Sequence, residues 1–327
     1  MKINLLLLVG LLFTAGCPAA AQHEFPKARV TVRVIDEVGR PLEGVRIRLI
    51  FGAKHDAKSI VPVEGVTSND GLFSGEGHSD GGYGTRIEKE GYYSSGLGAP
   101  KLVDIQDGRW VPWDPVVTTV LRRIGQPVAL CAKRVQADVP LLNRPCGYDL
   151  EKGDWVAPHG SGVISDLIFL VTKDYTDRFN FKTEASVVFS NSQDGLVRMR
   201  APEYAKYSSF RWERSAPEAG YQATHSIRFV NYHPSSGKRP ERTFSTENEN
   251  EEGYFLRLRS VEKNGIIIMA NYGKITGDII IEPRDSKSCL VLFTYYYNPV
   301  ANDRNLEWNP QKNLLTGLPT RESPRGP

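Results

Sequence analysis

Cysteine is scarce, with four in 327 residues, and the six histidines at positions 23, 55, 78, 159, 225 and 233 are scattered. Neither a His-Glu-x-x-His motif nor a Cys-x-x-Cys pair is present, so the ligand spacings of common zinc sites are missing and neither a metal nor another cofactor is expected. An excess of charge is missing too: 41 Lys and Arg stand against 38 Asp and Glu, a net +3, and the two signs are interleaved. Such balance removes the usual reason to expect nucleic acid as a partner. Beyond residue 21 no stretch shows the 3.6-residue period of an amphipathic helix, and no apolar run reaches the length needed to span a bilayer.

One shorter apolar run is present, from Ile3 to Phe13 behind Met1-Lys2, with the layout of a secretory signal over residues 1–21. Two cleavage sites compete at its end. Thr14-Ala15-Gly16-Cys17 is similar to the lipobox of bacterial lipoproteins, with Thr14 where Leu, Val or Ile usually stands, and Ala19-Ala20-Ala21 offers the small residues that ordinary signal peptidase prefers. The position of Cys17 directly behind the apolar run favours lipidation there, which would make an N-terminal acyl anchor the chain's one contact with a membrane. Export places the chain at the cell envelope, lipid-anchored, or in the periplasm or medium. Cys131, Cys146 and Cys289 would then meet an oxidising compartment. Cys131 and Cys146 are the expected disulfide, closing a short loop worth about 3 kcal/mol in the chain-entropy picture, and Cys289 beside Leu290-Val291-Leu292-Phe293 reads as a small buried residue.

From Ala28 to Ile124 the side-chain period is two. Val30, Val32 and Val34 alternate with Thr31 and Arg33, and Val45, Ile47 and Leu49 alternate with Arg46 and Arg48, as in half-buried strands. Ser68-Asn69-Asp70-Gly71 marks a turn, Gly81-Gly82 precedes a strand from Tyr83 to Lys89, and Val116 to Arg123 forms the last strand of the unit. The segments Val32-Arg33-Val34-Ile35-Asp36, Gly39-Arg40-Pro41-Leu42-Glu43-Gly44-Val45, Thr67 with Asp70-Gly71-Leu72-Phe73, Gly82-Tyr83 and Lys89-Glu90-Gly91-Tyr92 together resemble the running pattern of the carboxypeptidase regulatory-like family. The resemblance covers about residues 28–124 and implies a transthyretin-like β-sandwich; the insertion from Gly52 to Val63 departs from it. In that family the peptidase is a separate α/β domain, and nothing after Ile124 alternates strands with helices.

A second unit, residues 126–297, opens with Gly147-Tyr148-Asp149-Leu150-Glu151-Lys152-Gly153-Asp154-Trp155-Val156-Ala157-Pro158-His159-Gly160, which resembles a segment found behind such domains in uncharacterised exported bacterial proteins. Strand-like runs follow at 163–171, 185–189, 226–231, 254–261, 266–271, 275–281 and 290–297, and Asn264-Gly265 has the composition of a tight hairpin turn. A second antiparallel sandwich is the natural reading, making the chain all-β. The polar stretch Ser235–Glu252 is expected to be a solvated loop, and residues 298–327 an extended tail that covers the second unit through Leu306 and Trp308 and then frays.

Few residues point to chemistry. Gly77-His78-Ser79-Asp80-Gly81 fits the Gly-x-Ser-x-Gly elbow of hydrolases, but no helix follows it, so a glycine-rich hairpin explains it better. His225 and His233 would face each other across a turn, and Asn231 to Lys238 ends in Gly-Lys but has Arg239 where a phosphate-binding loop needs Ser or Thr. Asp149, Glu151 and Asp154 crowd one segment, as a surface loop also can. No catalytic residue is assigned. The aromatic residues are more suggestive: Trp110 and Trp113 share a Pro-containing loop, Tyr207 and Trp212 lie in another, and rings of this kind stack on sugars or anchor protein partners. The expected function is therefore a non-catalytic binding or structural protein of the envelope that contacts a polysaccharide or a surface protein. A polysaccharide hydrolase with its acids in the second unit, and a component of a surface assembly docking through sheet edges, are the alternatives.

Overall fold

The computed structural model describes residues 25–52, 62–98, 102–233, 241–246, 252–324 and 326. The signal-like segment with Cys17, most of the Gly52–Val63 insertion and most of the Gly-Lys loop lie outside the described residues. The chain is all-β. Its first eight strands are β1 (Lys27–Asp36), β2 (Arg46–Phe51), β3 (Val63–Val66), β4 (Leu72–His78), β5 (Tyr83–Glu88), β6 (Asp104–Gln106), β7 (Arg109–Val111) and β8 (Val116–Leu121). There follow β9 (Cys131–Asp138), β10 (Pro145–Asp149), β11 (Asp154–Trp155), β12 (Leu167–Asp177), β13 (Asn180–Val188) and β14 (Gly195–Arg200). The last are β15 (Thr224–Tyr232), β16 (Glu241–Thr246), β17 (Glu252–Lys263), β18 (Ile266–Pro283) and β19 (Cys289–Asn298). Among the described residues the helical turns are two short 3-10 ones, Glu203–Ala205 and Pro310–Lys312, and no helix is long and apolar enough to cross a membrane.

β1 pairs antiparallel with β4 and parallel with β8, while β2 lies between β3 and β5 in a second sheet. The alternation seen in the sequence sends Val30, Val32 and Val34 of β1 inward against Ile47, Leu49 and Phe51 of β2, all nearly or fully buried. Each such side chain contributes about 1.5–3 kcal/mol relative to exposure. Gly71 shows why the turn before β4 needs glycine: at φ +73° it donates its N–H to the Ser68 carbonyl and accepts the Val34 N–H, and a β-carbon there would collide with the Val34 carbonyl oxygen.

The later strands form two antiparallel sheets, β11-β10-β12-β13-β15-β16 and β14-β17-β18-β19-β9, packed on a core that contains Trp155, Phe169, Val187, Ile227, Leu256, Ile281, Val291 and Phe293. Asn264 and Gly265 both have positive φ and join β17 to β18, with Lys263 paired to Ile266, as the Asn-Gly turn requires. The runs at 266–271 and 275–281 prove to be one strand of 18 residues with a register shift between Thr276 and Ile280. Tyr295, Tyr296 and Tyr297 are all fully buried; Tyr295 and Tyr297 face the main core, and Tyr296 packs on the other side against Leu130, Ala132 and Trp308.

Three expectations are corrected. The polar stretch after Ser235 contains a strand, β16, which pairs with β15 from Tyr232↔Glu241 to Ile227↔Thr246; backbone pairing needs no apolar alternation. The tail does not fray after Leu306 and Trp308, both buried. It runs along the edge of β9, where Asn313 exchanges side-chain hydrogen bonds with the Ala132 backbone, and the Glu322 carbonyl accepts the Arg134 N–H. Finally, Cys131, Cys146 and Cys289 are free buried thiols, and the Cys131–Cys146 bridge is not formed. The two residues lie on strands of opposite sheets, and the Cys146 thiol is turned toward the carbonyls of Leu141 and Arg144.

Candidate functional site

The aromatic candidates fall into different surroundings. β6 and β7 form a hairpin whose tip, Asp107-Gly108, has positive φ at both residues and whose register sets Ile105 opposite Trp110. The half-buried Trp110 donates its indole N–H to the Ser79 carbonyl at 2.8 Å, and its ring lies over Gly81, which leaves no room for a larger residue there without displacement. Trp113 is also half-buried, with the Arg109 guanidinium 4.8 Å above its ring. Beside these fixed rings Val103 is 70% and Ile105 49% exposed. Trp110 and Trp113 thus belong to the same hairpin region but have separate partners, Trp110 with Ser79 and Gly81 and Trp113 with Arg109, the β7 neighbour of Trp110 whose side chain leaves the opposite face of the strand. Tyr207 belongs elsewhere: it is exposed, lies against Gly98, and accepts the Gly96 N–H through its carbonyl. Trp212 is buried among Met199, Ala216, Phe255, Tyr272 and Leu306, so its ring is core and cannot meet a ligand.

The Gly-x-Ser-x-Gly residues form a turn between β4 and β5. Ser79 is fully buried, its hydroxyl donating to the Gly82 carbonyl and accepting the Gly81 N–H, an arrangement that holds a loop and presents no nucleophile. His225 and His233 sit at opposite ends of β15. His225 is buried with Nε2 3.1 Å from the Tyr254 hydroxyl, whereas His233 packs beside Phe179 and donates its backbone N–H to Asn180.

Two acids of the Gly147–Gly160 segment, Asp149 and Asp154, are committed largely to backbone. Asp149 accepts from the amides of Glu151, Lys152, Val163 and Ile164, and Asp154 from those of Trp155 and Ser161. Burial alone would raise the Asp149 carboxyl, but the N–H groups of Ile164, Val163 and Lys152, with the charge of Arg259, leave it below the usual aspartate range. Around Arg259 gather Asp166, Asp149 and Glu151. Arg259 donates Nε to Asp166 Oδ1 at 2.8 Å and Nη2 to Oδ2 at 2.9 Å, reaches Asp149 at 3.2 Å, pairs with Glu151, and lies over the Tyr297 ring. The sequence Leu256-Arg257-Leu258-Arg259 reads as strict alternation, which would send Arg259 outward with Arg257. A bulge between Leu258 and Val261, with Arg259 at φ +52° and Asp194 accepting the N–H groups of Arg259 and Ser260, turns it inward instead. The signal that could have found this cluster is the density of acids at 149–154, though not the identity of their cation.

A second charged group ties the two cores. Arg122, just past β8 and buried, donates to the carbonyls of Phe210, Arg211 and Trp212 and pairs with Glu37 at 3.2 Å; Glu37 also receives Arg214 at 3.0 Å. Glu307, buried in the C-terminal chain, accepts from the Tyr93 hydroxyl and from the amides of Gly125 and Gln126. Among the described residues no group of His, Cys, Asp and Glu is arranged to hold a metal ion.

No family model matches the chain, and no curated protein matches it. Among solved structures it is similar to 3-chlorocatechol 1,2-dioxygenase from Rhodococcus opacus 1CP, at 15% identity over 36% of this chain and 71% of that one, with a TM-score of 0.23. It is also similar to a streptococcal ancillary pilin, at 11% identity over 68% of this chain and 60% of that one, with a TM-score of 0.21. Neither likeness carries an assignment.

Proposed function

We propose that the chain is a non-catalytic binding or structural protein of the cell envelope and that the β6–β7 hairpin is its partner surface, contacting a polysaccharide or a surface protein. The observation that carries this reading is the exposure of Val103 and Ile105 on the hairpin where Ile105 stands opposite Trp110, whose indole is fixed by its hydrogen bond to Ser79. Apolar groups left in water next to rigid aromatic rings are what a binding surface offers, because ordering them on contact costs little entropy. The acids that sequence would nominate for hydrolysis act as turn caps and ion-pair partners, which favours binding over turnover.

The reading includes export through the N-terminal segment, lipidation at Cys17, and division into a carboxypeptidase regulatory-like sandwich over residues 28–124 and a second sandwich over 126–297. The placement of the resembling segments at the turns around β1, β4 and β5 supports the first module, as does a core of its own, separate from those of the later strands. The test is binding of the intact protein to arrays of envelope polysaccharides and crosslinking on intact envelopes, each compared with Ile105→Ser and Trp113→Ala. Binding or crosslinking weakened in both variants, with no product released, is the expected result. Release of shortened polysaccharide would overturn the reading, and unchanged membrane association of Cys17→Ser would overturn the anchor.

A further inference from the structure

Lys274 lies in the middle of β18, paired across the sheet with Phe255 and Tyr296, and is completely buried. An ammonium carries three donors. The amine has one acceptor, the Glu213 carbonyl at 3.5 Å, and otherwise faces two rings, with the Phe210 centroid at 4.6 Å and the Tyr296 centroid at 5.6 Å. The charged groups around it come from every neighbouring element. Past β8 stands Arg122, 5.5 Å over the same Phe210 ring; the 203–217 segment brings Glu213 and Arg214, the latter 6.0 Å from that ring, with Tyr204 beside Arg122. Glu307 arrives from the C-terminal chain with Tyr93 bonded to it, and Glu37 is held by Arg122 and Arg214. Of the carboxylates around it, Glu37 and Glu307 are already engaged by other donors, and Glu213 is exposed and meets the amine through its backbone carbonyl, its charge acting from farther off. A proton on Lys274 would add a third cation around one phenyl ring, with no carboxylate in ion-pair contact among the described residues.

Phe210 is buried between Lys274 of β18 and Tyr93 of the N-terminal sandwich. Its ring stacks on Tyr93 at 4.8 Å, and the 203–217 segment is bonded to the N-terminal sandwich through Ser209 N–H to the Ser94 carbonyl and Gly96 N–H to the Tyr207 carbonyl. We propose that Lys274 makes the 203–217 segment an acid-released latch: the neutral amine keeps Phe210 seated between the sandwiches, and protonation at Nζ drives the segment off the N-terminal one.

The sign follows from linkage. Burial first, and then the charge of Arg122, hold the closed-state amine well below the ordinary 10.5 of lysine, whereas in the open state it returns to that value. The open state therefore binds more protons between the two values. Opening grows about tenfold for each unit of pH lost in that window and levels off below the closed-state value.

Hydrogen exchange of the Ser209 and Gly96 amides in the full chain, read at matched pH against Lys274→Met between about pH 6 and pH 9, tests this. The ratio of opening constants, wild type over variant, should climb about tenfold per unit as pH falls before it levels. The Val34 amide, bonded to Gly71 inside the N-terminal sandwich, should show a constant ratio. A ratio at Ser209 and Gly96 independent of pH, or an equal climb at Val34, overturns the latch. Should Lys274→Met fail to fold, carbon NMR of the Lys274 Cε in the wild-type chain decides: an amine that stays neutral well below the ordinary lysine range supports the latch, and ordinary titration overturns it.

Discussion

Arg259 meets Asp166 in a two-point fork, Nε to Oδ1 and Nη2 to Oδ2 at 2.8 and 2.9 Å, with the Asp166 side chain fully buried. Burial pushes the Asp166 carboxyl above its ordinary range, and the fork with Arg259 offsets this only in part, leaving it raised. Removing the arginine leaves Asp166 and Asp149 facing each other without their cation, so Arg259→Ala should destabilise the second sandwich by about 3–5 kcal/mol. Lysine should not rescue it, because an ammonium cannot make the planar fork. Urea unfolding of the full chain measures this; a loss under about 1 kcal/mol would show that the cluster is ordinary surface pairing.

The cysteines give a second expectation. Cys131, Cys146 and Cys289 are buried and free, and burial pushes the Cys131 thiol up to about 12, where almost no thiolate exists at neutral pH. In the native protein none of the three should react with a thiol reagent, and all three should react once it is unfolded without reductant. Intact mass after alkylation counts them; a pair protected in the unfolded chain would mean a bridge.

Much of the fold was legible because Val30, Val32, Val34, Ile47 and Leu49 alternate on a period of two and Asn264-Gly265 carries its own turn chemistry. β16 was hidden because an edge strand can pair by backbone alone through a polar stretch. The burial of Trp212 is hidden for a related reason: composition marks a ring as large and flat, while tertiary packing decides whether it is covered. Of the charged clusters, the acids at Asp149 and Asp154 were visible, but Arg259 enters through a bulge and Lys274 through a long strand pairing, neither of which leaves a mark in local periodicity.

Glu37 should shape the acid side of stability. Burial alone would raise its carboxyl, but hydrogen bonding and charge from Arg214, and then Arg122, leave it below the ordinary 4.5. The unfolded chain then binds more protons between those values, so the stabilisation is present above about pH 4.5 and is lost as pH falls through the folded value. Glu37→Gln should be about 1 kcal/mol less stable than wild type at pH 7, and the gap should close in acid. Unfolding curves from pH 7 to pH 3 decide it; a gap that does not narrow would assign the loss to packing.

Trp212 and Tyr207 separate core from surface within one stretch of chain. Trp212 is 6% exposed and walled by Met199, Phe255, Tyr272 and Leu306, so Trp212→Ala leaves a cavity and should destabilise by about 3–5 kcal/mol. Tyr207 is 49% exposed, and Tyr207→Ala should shift stability by no more than about 0.5–1 kcal/mol, since its backbone bond to Gly96 survives the substitution. Thermal unfolding of the two variants compares them directly. If partner binding falls in Tyr207→Ala while its stability holds, the contact surface extends from the β6–β7 hairpin to this loop. If binding falls in Trp212→Ala, the cause is the loosened segment between the two cores, because the indole never reaches solvent far enough to touch a ligand.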